Sequence, residues 1–235
     1  MSNDDAGSFE RRAAPPPLGE REVHAWFVAA APAPRGEATR RARAALARLL
    51  RAYAGTAATP ALARSEHGKP FAPDWPDLHF NVSHAGAGAL LAFARGQALG
   101  VDLEALTRRI DAEAIATRFF APAEAEALAR VPAERRSEAF LRLWTCKEAV
   151  VKAVGRGLSF GLDRVEFRVD ARGRVEAMRH IAADAGPAAE WMLHALAPAP
   201  GLVGAIAWRG APRVLRRFEL AAEPGCDDDA VTAVL

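Results

Sequence analysis

Hydrophobic positions recur along this chain in two rhythms, period two and period 3.6, and the alternation between them lays out the elements. Val23 and Trp26-Phe27-Val28 supply the apolar content of a strand expected over Val23–Ala30, which Ala31-Pro32-Ala33-Pro34-Arg35-Gly36 then breaks. From Glu37 to Ala54, Ala42, Leu46, Leu49, Leu50 and Tyr53 fall at helical spacing and predict one buried stripe, with Arg40, Arg41, Arg43, Arg48 and Arg51 over much of the remainder. A loop-rich stretch from His67 to Pro76 leads into β-like runs at Leu78–Val82, Gly88–Ala94 and Leu99–Glu104, the last two expected to pair as a hairpin through Arg95-Gly96-Gln97. Helices are predicted at Asp111–Phe119, Pro122–Ala129 and Ala133–Val154, where Gly155 and Gly157 supply a stop. Strands return at Arg164–Val169, Arg174–Ala177, Glu190–Leu196 and Leu202–Trp208, punctuated by Arg172-Gly173 and Pro200-Gly201. Helices interleaved with antiparallel hairpins predict an α+β fold. Residues 1–20 are polar and then proline-rich, and are expected to form a disordered tail.

Composition narrows the class. A chain of 235 residues holds one large domain or two small ones packed together. Its net charge of +2 argues against a nucleic-acid binder that relies on a strongly cationic surface. The two cysteines, Cys146 and Cys226, form no CxxC pair, so neither a disulfide framework nor a cysteine zinc site is expected. Arg11-Arg12 is followed by three prolines, two glutamates and an arginine within Ala13–Glu22, which is no export signal. No apolar run approaches the roughly 20 residues of a membrane span. A cytoplasmic protein with no nucleic-acid or membrane partner is expected.

Three segments carry candidate chemistry. In Leu99-Gly100-Val101-Asp102-Leu103-Glu104, strand alternation puts Asp102 and Glu104 on one face and Val101 and Leu103 on the other. Partly buried carboxylates side by side either bind a proton or take a cation between them, and a hard cation suits oxygen ligands. A strand end passing into a solvated loop is the blander reading of the same residues. On the predicted helix Ala133–Val154, Glu148 and Lys152 stand four apart on one face. They read either as an exposed ion pair worth about 0.2–0.5 kcal/mol or as an oxygen ligand and a phosphate-binding cation. In Phe80-Asn81-Val82-Ser83-His84-Ala85-Gly86, Ser83 and His84 end a strand; as strand neighbours they point to opposite faces, so this histidine cannot readily activate this serine. A pair of phosphate contacts suits that geometry better than a hydrolase dyad. His24, His67, His79, His180 and His194 show no metal-ligand spacing and read as structural or surface residues.

Gly68-Lys69-Pro70, Asn81-Val82-Ser83-His84, Gly100-Val101-Asp102-Leu103-Glu104 and Trp144-Thr145-Cys146-Lys147-Glu148-Ala149-Val150-Val151-Lys152 occur in that order. Together they resemble the 4′-phosphopantetheinyl transferase family, in particular its surfactin-synthetase-activating (Sfp) type. Phe119-Phe120 and Gly155-Arg156-Gly157-Leu158-Ser159 extend the resemblance, which covers about Leu46 to Phe167.

The resemblance implies two similar α/β halves related by a pseudo-twofold axis, with coenzyme A in the cleft between them. The halves would be residues 21–99 and 100–235. It implies that Asp102, Glu104 and Glu148 hold Mg2+, that Lys152 contacts the coenzyme's phosphates, and that Ser83 and His84 are phosphate contacts. Lys69 and Pro70 would lie beside the 3′-phosphate and adenine, and either Arg40 or Arg41 would approach the 3′-phosphate. The implied reaction moves 4′-phosphopantetheine from coenzyme A to a serine of an apo acyl or peptidyl carrier protein of fatty-acid, polyketide or nonribosomal-peptide synthesis, releasing adenosine 3′,5′-bisphosphate. Asp102, Glu148 and Lys152 form its catalytic set. Glu148 is the candidate base, with Lys147 or a water on the metal as alternatives. Members of this type are often monomeric. Carriers are typically acidic around the modified serine, so the Arg35–Arg51 helix face and the Phe119-Phe120 pair are candidate docking surfaces. Two other readings use the same residues: a Mg-dependent hydrolase of coenzyme A or related nucleotide diphosphates, and a degenerate module that binds the coenzyme without turnover.

Overall fold

The computed structural model describes residues 8–29, 37–86 and 88–221. The first part runs β1 (Glu10–Arg12), β2 (Glu22–Ala29), α1 (Glu37–Ala54), β3 (Ala63–Arg64), β4 (Pro70–Phe71), β5 (Leu78–Ala85), β6 (Gly88–Arg95) and β7 (Leu99–Ala105). Then follow α2 (Ala112–Phe119), α3 (Pro122–Arg130), α4 (Ala133–Val154), β8 (Val165–Val169), β9 (Val175–Ile181), β10 (Trp191–Leu196), β11 (Leu202–Arg209) and β12 (Val214–Leu220). The fold is α+β, as the hydrophobic rhythms predict.

The two principal sheets are five-stranded, in the order β1-β12-β2-β6-β5, and three-stranded, in the order β10-β11-β7. The hairpin expected between Gly88–Ala94 and Leu99–Glu104 does not form: β6 pairs with β2 and β5, and β7 crosses to the other sheet to pair with β11. Three cores stack these sheets into four layers. Leu46, Leu49 and Leu50 of α1 pack with Trp26, Phe93 and Phe218 on one face of the larger sheet. The other face, through Val23, Ala25, Phe27 and Leu90, meets Leu99, Val101, Leu103 and Ile206 of the smaller sheet. Val203, Ala205 and Ala207 on the far side of that smaller sheet pack with Phe140, Leu143, Cys146 and Ala149 of α4. The order is therefore helix, sheet, sheet, helix.

Residues 8–20 depart from the expected disordered tail. Glu10–Arg12 pair parallel with Phe218–Leu220, because β12 leaves the second half of the chain and inserts between β1 and β2, parallel to both. Residues 214–220 thus belong to the sheet of the first half, across the division expected at residue 100. Ala30, the break at residues 31–36 and the docking surface's Arg35 lie outside the described residues.

Helix boundaries follow their caps. The Asp111 side chain accepts from Ala114 N at 3.0 Å and starts α2. Gly155, with φ of 81°, ends α4 in the left-handed conformation and donates its N–H to Val151 O at 3.0 Å. A fully buried ion pair, Lys147 with Glu124 at 2.5 Å, ties α4 to α3. Glu124 also accepts from Ala121 N at 3.0 Å and Phe167 N at 2.8 Å, while Lys147 donates to Leu162 O at 2.9 Å and to Val165 O. Each burial pushes its group toward the neutral form, Glu124 up and Lys147 down, and the pair's mutual attraction opposes both.

Closest of all is the approach of α4 to β7. A Cβ on Gly100 would lie 2.1 Å from Ala149 O and 2.3 Å from Ala153 N, so the helix backbone rests directly on the glycine. That contact brings the last turns of α4 alongside Asp102. Gly100→Ala is expected to lower the unfolding free energy by about 1–3 kcal/mol or more, from overpacking against backbone, and so to lower the urea midpoint at an unchanged m-value. An unaltered midpoint would mean that the approach is loose.

Candidate functional site

β7 pairs with β11 on one side only, Asp102 standing opposite Ala205 and Glu104 opposite Val203. Val203 and Ala205 face α4, so Asp102 and Glu104 face α4 too, while Val101 and Leu103 enter the core between the sheets. The alternation expected from the sequence is realised. The other edge of β7 meets side chains rather than a strand. Val101 N donates to Asn81 Oδ1 at 2.8 Å, and Leu103 N donates to Ser83 Oγ at 3.2 Å. Lys152 Nζ donates to Val101 O at 3.1 Å, and Lys69 Nζ to Leu99 O at 2.8 Å. An inward-facing strand edge cannot leave these groups unpaired, and residues from β5, the turn before β4, and α4 answer them one by one.

Asp102 is the centre of this arrangement, only 5% exposed. Its Oδ1 accepts from Ser83 Oγ at 2.8 Å and from Lys152 Nζ at 2.7 Å. Lys152 also donates to Ser83 Oγ at 3.1 Å. Asp102 Oδ2 and Glu148 Oε1 are both buried with no hydrogen-bond partner. Burial, and next the Asp102 charge, push the Glu148 carboxyl up to about 7. Burial and Asp102 also raise Glu104, against the opposing pull of Arg108, which pairs with Glu104 and stacks over the Trp144 ring at 5.7 Å.

This is a crowd of carboxylates with two orphaned oxygens, and one lysine as its nearest compensation. Among the described residues no three acidic, histidine or cysteine side chains converge closely enough to hold a metal by themselves. A hard divalent cation of the magnesium type does not need that, since one or two carboxylates plus waters and substrate phosphates complete its sphere. The buried orphan oxygens of Asp102 and Glu148 are of the right chemistry for such an ion, and the residues fit.

Other expected site residues are distributed unevenly. Lys69 and Pro70 line a cavity of about 380 Å³ with Phe71, Trp75, His79 and Phe80, yet the Lys69 ammonium points to backbone carbonyls. Ser83 is 7% exposed and its hydroxyl is committed on all sides. His84 is exposed at the end of β5. Arg40 and Arg41 are exposed on α1, which packs against the face of the larger sheet away from β7. Lys147 is corrected as an alternative base: it is 0% exposed and locked to Glu124. The phenylalanine pair splits. Phe120 is buried and stacked on Phe140 at 5.2 Å; Phe119 is 45% exposed with Arg118 over its ring. Asn81, which the sequence did not single out, closes the edge of β7 beside Ser83; its place two residues before Ser83 put it on the same strand face. His24 proves structural, buried between Tyr53 OH at 2.7 Å and Glu22 Oε2 at 3.1 Å.

Comparison with known proteins agrees with the motif resemblance. The sequence profile of the 4′-phosphopantetheinyl transferase superfamily matches residues 98–201. The chain is 41% identical over 110 residues to 4′-phosphopantetheinyl transferase Sfp of Bacillus subtilis (strain 168), covering 47% of this chain and 48% of that one. It is 36% identical over 146 residues to 4′-phosphopantetheinyl transferase HetI of Nostoc sp., covering 61% and 58%. Over 119 residues it is 34% identical to L-aminoadipate-semialdehyde dehydrogenase-phosphopantetheinyl transferase of Xenopus laevis, covering 46% and 39%. The matched stretch thus spans about half the length of the first of these relatives.

A pH experiment tests the carboxylate crowding. Glu148 holds its proton more tightly folded than unfolded, so its contribution to stability is full below about 4.5 and lost as pH rises through about 7. With chelator present, the stability of Glu148→Gln relative to the unsubstituted protein should therefore increase across that window in urea titrations. A difference that does not vary with pH would show that the carboxyl is not crowded.

Proposed function

We propose, from the premise that residues 98–201 are a 4′-phosphopantetheinyl transferase superfamily segment, that this chain moves 4′-phosphopantetheine from coenzyme A to a serine hydroxyl of an apo carrier protein. The observation that carries the reading is the Asp102–Lys152–Ser83 cluster with Glu148 beside it, in which motifs far apart in sequence meet at one strand edge. The four-layer arrangement supports two α/β halves related by a pseudo-twofold axis, with the coenzyme in the cleft along β7.

In this reading Asp102, Glu104 and Glu148 are the ligands of Mg2+. Bound there, magnesium supplies positive charge against the diphosphate as the bridging oxygen departs. Lys152 has its three N–H groups committed to Ser83, Val101 O and Asp102, so it acts on the phosphates as an oriented point charge and exchanges one of these contacts where it donates to them. Ser83 donates its one proton to Asp102 Oδ1, which leaves Oδ2 to face the ligand. Glu148 is the candidate to take the proton of the attacking serine, as a base that coordination to the ion would weaken. The serine oxygen forms a bond to the phosphorus bearing the pantetheine arm, the phosphoanhydride bond breaks, and adenosine 3′,5′-bisphosphate leaves. His84, exposed at the end of β5, is the candidate phosphate contact there; Arg40 and Arg41 sit on the other face of the larger sheet, and reach the 3′-phosphate only where the coenzyme extends round its edge. Pro70 and the aromatic wall of the neighbouring cavity offer an apolar surface to the adenine end.

Acyl and peptidyl carriers of fatty-acid, polyketide or nonribosomal-peptide synthesis are the proposed partners. Exposed Phe119 and the arginines of α1 offer apolar and cationic contacts to an acidic carrier. No helix among the described residues is long and apolar enough to cross a membrane, which suits a cytoplasmic, monomeric enzyme acting on soluble carriers.

Intact-mass measurement of apo carriers incubated with the protein, coenzyme A and magnesium should show a gain of one phosphopantetheine group, lost with chelator. Asp102→Ala should slow that gain by about 10²-fold or more, the scale of removing one preorganised electrostatic contact. Release of adenosine bisphosphate without a carrier, or no gain on carriers from all three pathways, would overturn the transferase reading. Glu148→Gln at near-normal turnover with magnesium still bound would remove Glu148 as the base.

A further inference from the structure

Besides Lys147, which is paired with Glu124, the mechanism leaves unused one further cation, whose ammonium is turned inward. Lys69 Nζ donates to Leu99 O at 2.8 Å and to Lys152 O at 2.7 Å, and among the described residues no carboxylate pairs with it. Leu99 O lies on the free edge of β7. Lys152 O belongs to the last turn of α4, whose carbonyls have no following helical amides to accept from. An ammonium there satisfies an orphan acceptor and meets the negative end of the helix dipole. The lysine stem lies against the same helix end, since a Cβ on Gly155 would be 3.5 Å from Lys69 Cδ. Burial without a counter-charge holds the ammonium's pKa down to about 8, as expected for a cation removed from water and given only dipoles.

We propose that Lys69 is a positioning residue: it caps the end of α4 and pins it to β7, and so sets where the Lys152 side chain stands. The proposal rests on the transferase reading for what Lys152 does, but not for the capping itself. It also departs from the contact with the 3′-phosphate that the motif resemblance implies for the Lys69-Pro70 segment. The main chain of Lys152 is held by Lys69 from the turn before β4, and its side chain by Ser83 from β5. The first half of the chain therefore grips this residue at both ends. Removing one grip lets the helix end shift, and misplacement of a catalytic group by about 1 Å can cost about 10²-fold in rate.

Coenzyme A and 3′-dephospho-coenzyme A separate the two roles. Their affinities for the full chain are measured by calorimetry with Lys69, with Lys69→Met, which keeps the stem and removes the charge, and with Lys69→Gln as a second variant. The capping role predicts that the ratio of the two affinities is unchanged by either substitution. It also predicts that kcat on any carrier the unsubstituted protein modifies falls by 10-fold or more, up to about 10²-fold, with KM for coenzyme A little altered. Amide exchange at Gly155 and Arg156 should become faster. A ratio that collapses toward one with kcat retained would make Lys69 a 3′-phosphate contact and overturn the proposal. If the unsubstituted protein binds neither coenzyme, it is the transferase reading that fails. Exchange at the end of α4 then decides alone, and unaltered exchange in both variants overturns the cap.

Discussion

Everything near the site depends on how the free edge of β7 is satisfied. In its own sheet β7 has a neighbour on one side only, yet its other edge faces inward, where an unpaired amide or carbonyl costs about 1–3 kcal/mol. The protein covers that edge with side chains rather than with a strand: Lys69 on Leu99 O, Asn81 and Lys152 on Val101, Ser83 on Leu103 N. These four residues come from three segments distant in sequence, so folding β7 into place assembles them around Asp102. The requirement to pair a strand edge and the requirement to build a charged site are met by the same contacts.

Gly100 is the second condition. Only with no side chain at that position does α4 rest on β7 closely enough for Glu148 and Lys152 to share a face with Asp102. The arrangement costs stability. Three carboxylates stand near one another with a single lysine on Asp102, and two carboxylate oxygens are buried unpaired. The fold tolerates this because the far side of α4 is anchored in a large apolar core and in the Lys147–Glu124 pair, each atom of which is satisfied. The helix thus carries a rigid anchor on one side and an under-compensated carboxylate group on the other.

Most of this architecture was legible in the sequence, for identifiable reasons. Long periodic segments such as α1 and α4 declare themselves through their stripes, and strand alternation alone assigned Asp102 and Glu104 to one face. What was not legible is what tertiary contact decides. β12 carries Arg216-Arg217 at its middle and gives no clean alternation, so its insertion between β1 and β2 has no local signal, nor does the pairing it offers Glu10–Arg12. A lysine next to Glu148 reads as a base candidate until its burial against Glu124 is seen. The inward contacts of Ser83 and Lys69 were not legible either, because nothing in the spacing of a motif says whether a donor faces a ligand or a neighbouring strand.

In the proposed function, Asp102 belongs to a cation site coupled to the coenzyme's diphosphate. Calorimetric titration of coenzyme A with and without magnesium, on the unsubstituted protein and on Asp102→Asn, tests it most directly. Magnesium should tighten coenzyme binding, and this coupling should disappear in Asp102→Asn while the fold stays intact. Coenzyme affinity indifferent to magnesium, or a coupling that survives the substitution, would contradict it.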